Sequence, residues 1–180
     1  MSKNAGSSTF IYGWPSYKWT NLTREGIPPS YTDENGNVIS LTEYPSLDYP
    51  LMRLAEAYLN YAEAAVRKSG GTCTDALALE KLNELRHRAK IQAEDLSSFT
   101  LDYIFGERSR ELYWEAFRRT DLIRFGKYSG NDYTWEFKNG TFPGSAVPQY
   151  RELFPIPASD IGANPNLTQN PGYDNAVSNQ

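Results

Sequence analysis

Residues 107–127 read ERSRELYWEAFRRTDLIRFGK, interleaving carboxylates, guanidiniums and aromatics along one predicted helix. A helix that only shields a core from water needs a single apolar stripe. Here Leu112 and Ala116 share a side with Leu101, Ile104 and Phe105, while Trp114 and Phe117 lie on others, so the element is expected to be touched from several directions. The pattern predicts a long third helix from about Phe99 to Ile123, ending before Gly126.

Two helices precede it. Leu51, Leu54, Ala55, Tyr58, Leu59, Ala62 and Val66 recur at steps of three and four after Pro50, which suits a first turn, and Gly70 suits the stop. Arg53, Glu56, Asn60, Glu63 and Arg67 fall on other faces, with Glu63 and Arg67 ordered as a helical pair. Beyond Gly70-Gly71, Thr72 or Thr74 can cap a second helix with the stripe Ala78, Leu82, Leu85 and Ala89. The two make a hairpin that loosely matches tetratricopeptide spacing, and one such hairpin cannot bury both of its faces. Either the third helix covers the open face or further repeats do.

On either side of this helical core, taken as residues 48–125, periodicity fades. Residues 1–47 are a loop-rich aromatic segment in which Asn35-Gly36 can close a β-hairpin between Tyr31-Thr32 and Val38-Ile39. Residues 126–180, rich in Pro, Gly and Asn, are expected to wrap over the helices as an irregular tail. The reading is one mainly α domain with extensive loops. At 39% apolar and 22% charged residues, its 180 residues suffice for a folded core.

A net charge of −4, with Lys and Arg set beside Glu and Asp, leaves no basic stripe for nucleic acid. Cys73 is the sole cysteine, so neither a disulfide framework nor a cysteine metal cluster is implied, and no cofactor pattern is present. The opening residues lack the apolar core of a signal peptide, and no run approaches the roughly 18 apolar residues of a membrane span.

Glu107, Glu111 and Glu115 stack three carboxylates at four-residue intervals, which in isolation would suit a hard cation or an acid/base pair. Arg108, Arg110, Arg118 and Arg119 lie three or four residues from them, and Asp121 and Arg124 continue the alternation. An adjacent guanidinium favours an ionised carboxylate, the reverse of what a glycosidase general acid needs. These nine residues are therefore expected to form a structural ion-pair network. His87, the only histidine, sits between Arg86 and Arg88 and reads as a surface or capping residue. In the segment 10–19, Trp14, Tyr17 and Trp19 are candidate sugar-stacking rings, and Trp135 is a fourth in a second loop. For each of them, packing against the helices is the competing expectation.

The segments LMRLAEAYLNYAEA (51–64), LNELRHRA (82–89), the Glu107 stretch, and LFPIP (153–157) followed by NPGY (170–173) together resemble the carboxy-terminal part of the SusD/RagB family. The resemblance covers about residues 44–173. It implies an α-helical fold with tetratricopeptide-like hairpins, lipid attachment to the bacterial outer membrane, and glycan capture without catalysis. It also implies docking on a SusC-like TonB-dependent transporter that imports the captured oligosaccharide. The lipidated amino-terminal Cys and the long region that carries most repeat hairpins have no counterpart here, so the chain is expected to be the end portion of a longer protein. No glycan-binding residue carries over by motif. The alternatives are a tetratricopeptide-type protein-interaction scaffold and, third, a glycoside hydrolase.

Overall fold

The computed structural model describes residues 30–40 and 49–173, together with Lys18 and Glu25. Residues 1–52 and 53–180 form two compact units.

In the first unit, β1 (Ser30–Thr32) and β2 (Val38–Ser40) pair antiparallel with Tyr31 opposite Ile39. The connection spans residues 33–37 instead of the two-residue turn expected at Asn35-Gly36. Asp33 is the reason, because its Oδ1 accepts the N–H groups of Asn35 and Asn37 at 2.9 and 2.8 Å. A short acidic side chain that caps nearby N–H groups offers the backbone an alternative to the tight turn.

The second unit is helical. Its elements are α1 (Leu54–Ser69), α2 (Ala76–Arg88), α3 (Leu101–Glu111), α4 (Arg118–Arg124) and α5 (Ala158–Ala163). The first helix stops at Gly70, whose φ of 72° is the left-handed conformation that only glycine adopts without strain. It begins at Leu54, not at Pro50, and its buried face is Ala55, Leu59, Ala62, Glu63 and Val66, so Leu51 and Leu54 are left exposed. The apolar stripe is thus rotated by about one residue from the expected one, and Glu63 is buried while its counter-ions Arg67 and Arg124 stay partly exposed.

Asp75, not Thr72 or Thr74, caps α2, accepting the N–H of Ala78 at 2.9 Å. Ala78, Leu82 and Leu85 are buried, whereas Ala89 ends the helix exposed. The first helix packs against both α2 and α3, and Phe99, Ile104 and Leu112 complete the core. A bridge between Cys73 and Phe99 ties the two ends of the α2 segment together, with N···O distances of 2.8 and 3.0 Å.

The single long third helix is in fact two. After α3 the chain turns through residues 112–117, with Trp114 and Ala116 both at φ 61°, before α4 begins. Helical periodicity continued in the sequence, but two left-handed residues cannot sit inside an α-helix. The tail is more ordered than its composition suggested. It holds a 3₁₀ turn (Gln149–Glu152) and α5, and side-chain hydrogen bonds join residues 153–156 to residues 169–173. Gln169 makes paired bonds with the Ile156 backbone at 2.8 and 2.9 Å, Asn170 donates to the Phe154 carbonyl at 2.8 Å, and Tyr173 donates to Leu153 at 2.9 Å. Among the described residues, no helix is long and apolar enough to cross a membrane.

Candidate functional site

The polar positions of α1 form a ladder facing the α3–α4 segment. At its first rung, Arg53 donates to Glu115 through Nε (2.7 Å) and Nη2 (2.8 Å), and to Glu111 through Nη1 (2.6 Å). These bonds raise the Arg53 guanidinium above its ordinary value, Glu115 contributing most. Arg88 closes on the other oxygen of Glu111. At the second rung Asn60 accepts from Arg108 at 2.7 Å, and Arg108 Nε donates to Asp121 at 2.9 Å, both partners of that ion pair being buried. At the third, Arg124 grips both oxygens of Glu63 at 2.9 Å and also reaches Asp121 at 2.8 Å. Burial pushes the Glu63 carboxyl up, but Arg124 and Arg67 outweigh it and hold it below the usual range.

These partners differ from the same-helix pairs expected. Arg108 joins Asp121, not Glu111, and Glu111 and Glu115 are clasped by Arg53 from another helix. Glu107 and Arg110 keep their i,i+3 pair at 2.6 Å, and Asp121 and Arg124 keep theirs at 2.8 Å. Arg118 lies over the Phe105 ring at 4.0 Å and donates to the Tyr133 hydroxyl at 3.0 Å. Arg119 covers Phe154 at 4.1 Å and donates to the carbonyls of Arg151 and Glu152, fixing the tail. His87 is exposed and meets Asp95 at 2.6 Å. Among the described residues no cluster of His, Cys, Asp or Glu could hold a metal ion.

Trp135 lies in a loop held from inside by a buried lysine. Lys138 is 1% exposed, directs its ammonium to the carbonyls of Gly130 and Tyr133, and lies 4.9 Å from the Trp135 ring. Burial pushes the Lys138 amine down from its ordinary value. Phe137 and Asn139 are left-handed, at φ 64° and 57°, and a Cβ at Gly144 would fall 2.2 Å from the Trp135 carbonyl oxygen. Backbone strain of this kind persists only where the surroundings over-determine it. The result is a fixed loop that shows Trp135, Phe137 and Phe142 to solvent, the last two in ring contact at 5.6 Å. Exposed rings flanked by amides and carboxylates suit the C–H face and hydroxyls of a sugar.

Trp14, Tyr17 and Trp19 lie outside the described residues. The sequence reading missed Arg53, Asn60, Glu63 and Lys138 as organisers. A buried-type position carrying a charge, as at Glu63 within Ala62–Val66, was the available signal.

A helical hairpin closed by a ladder of guanidinium–carboxylate contacts, with an aromatic loop around Trp135, defines a mainly helical module. The chain belongs to the SusD family, whose model matches residues 2–173. It is 40% identical over 166 residues to the starch-binding protein SusD of Bacteroides thetaiotaomicron, an alignment that covers 92% of this chain and 27% of that protein. A SusD-like protein of Bacteroides ovatus is 34% identical over 117 residues, 64% of this chain and 21% of the relative. The chain therefore spans about a quarter of the length of these relatives. Two solved structures share the fold. A SusD superfamily protein from Parabacteroides distasonis superposes with a TM-score of 0.57 at 26% identity, covering 75% of this chain and 29% of that one. Surface glycan-binding protein A from Bacteroides uniformis gives 0.56 at 22%, covering 78% and 36%.

Proposed function

We propose that this chain is part of a non-catalytic glycan-binding protein for nutrient uptake at the bacterial outer-membrane surface, working with a SusC-like TonB-dependent transporter. The observation that carries this reading is the 40% identity, over nearly the whole chain, to a protein named for binding starch. The rigid loop that exposes Trp135 supports it, because a ring already fixed in place loses little freedom when a sugar stacks on it. The guanidinium contacts support the absence of catalysis, since the oxygens of Glu111 and Glu115 are already engaged by Arg53 and Arg88.

Affinity electrophoresis of the chain through gels holding starch, other glucans, mannan and xylan tests the reading. Retention by at least one polysaccharide is expected, and Trp135→Ala should weaken it by about 1–2 kcal/mol with little change in melting temperature. Binding to a transporter peptide with no polysaccharide retention would favour the interaction-scaffold reading. Reducing-end release that disappears in Glu111→Gln would overturn the non-catalytic one.

A further inference from the structure

Where the end of α2 meets α3, a recess of about 340 Å³ opens, lined by Arg86, Ala89, Ile91, Tyr103, Glu107, Arg110 and Glu111. Its rim is fixed by the chain. Lys90 at φ 56° ends the helix, with the N–H of Ile91 returning to the Arg86 carbonyl at 3.1 Å. Asn83 then pins the next segment through two bonds to Leu96, at 2.8 and 3.2 Å.

Two polar demands in this recess remain open. Arg86 Nε is buried and has no acceptor, while its Nη2 is committed to the Glu94 carbonyl at 2.8 Å. Both Arg110 bonds to Glu107 land on Oε2, at 3.1 and 2.6 Å, so no described donor meets Oε1. The Tyr103 hydroxyl adds a group that both donates and accepts. Ala89, Ile91 and the Tyr103 ring supply apolar wall.

Net charge selects the ligand. Two arginines, Arg86 and Arg110, and two glutamates, Glu107 and Glu111, share the lining, so neither an anion nor a cation enters without meeting its like. A donor and an acceptor beside an apolar wall match adjacent hydroxyls on a neutral ring. The volume lies at the small end of the ~300–1,000 Å³ typical of ligand pockets. We infer that this recess is a binding site for a neutral pyranose, a short glycan end separate from the Trp135 loop. The inference rests on the glycan-binding reading and deepens it.

The test is an amide-resolved NMR titration of the chain with methyl α-D-glucopyranoside, methyl α-D-mannopyranoside and methyl β-D-xylopyranoside, with glucuronate and glucosamine as charged controls. A neutral glycoside is expected to shift the amides of residues 86–91 and 103–110 and to bind at least tenfold more tightly than either control. Ala89→Trp, which fills the recess from an exposed position, should weaken binding at least tenfold. Glu107→Gln, a change to an exposed pair, should weaken it about fivefold. Trp135→Ala should leave these shifts intact. Melting curves of each variant show that it is folded. An unchanged titration in a folded Ala89→Trp, preferred binding of glucuronate, or retention by a polysaccharide with no glycoside shift at these amides would each overturn the recess alone. No glycoside shift and no polysaccharide retention would remove the glycan reading with it.

Discussion

Asp121 holds the centre of the charged ladder, its Oδ1 receiving both Arg108 and Arg124. The Arg108–Asp121 pair is 1% and 2% exposed, so removing the carboxylate leaves a buried guanidinium with Asn60 but without its counter-charge. Asp121→Asn is expected to cost about 3–5 kcal/mol in urea unfolding. Glu107→Gln, which opens a pair whose arginine is 64% exposed, should cost less than about 1 kcal/mol. Equal costs would show that burial does not set the strength of these pairs. Glu63 adds a pH dependence. Its folded carboxyl lies below the ordinary 4.5, so its stabilisation is complete above that value and drains away as pH falls through the folded one. Wild type should therefore lose stability on acidification below about pH 4.5. Glu63→Gln should start lower and fall less steeply over the same range in a pH series of melting curves. At this scale the sequence displayed the charges but not their partners. Helical spacing ranks only neighbours three and four residues away, whereas Arg53, Asn60 and Glu63 find theirs 48 to 62 residues along the chain.

Between α3 and α4, the same limitation has a geometric cause. Between Glu107 and Ile123 helix-forming residues run on without interruption, and a hydrophobic pattern records facing without recording φ. No glycine or proline marks the break. Ala116 is exposed at φ 61°, a conformation that costs a residue with a Cβ roughly 1–2 kcal/mol. Glycine removes that cost but makes the unfolded chain freer by about 0.4–1 kcal/mol. Ala116→Gly is accordingly expected to stabilise the protein by up to about 1 kcal/mol, a rise of roughly 2–4 °C in melting temperature for a chain of this size. A fall in melting temperature would mean that Ala116 does not hold a left-handed conformation in solution. The α1 boundary was misread for a related reason. Pro50 offered a legitimate helix start, but Arg53 takes the N-cap position with its side chain reaching Glu111 and Glu115, and a long-range anchor overrode a local signal. The end at Gly70 and the hairpin pairing of Tyr31 with Ile39 were legible because local geometry alone decides them.

Across the molecule, α1 presents three faces. Its apolar residues face α2 and α3, its polar positions 53, 60 and 63 carry the ladder, and a third stripe at Leu54, Ala57, Tyr61 and Ala64 stays exposed. Leu54 is 65% and Tyr61 43% exposed, and Leu77 at the start of α2 is open as well. Steps of three, four and three place the stripe on one helix face, and small alanines between larger residues leave room for another helix to approach. In a stacked helical array a face of this kind packs against another helix. The expected consequence for this chain is self-association that grows with concentration, together with binding of an apolar dye. Leu54→Lys with Ala57→Glu should abolish both, with a change in unfolding free energy within about 0.5 kcal/mol, since neither side chain belongs to the core. Sedimentation velocity across a hundredfold concentration range reads the outcome. A wild-type chain that stays monomeric and dye-silent throughout would mean that the stripe is covered in solution, and the charged variants should then unfold more readily than wild type.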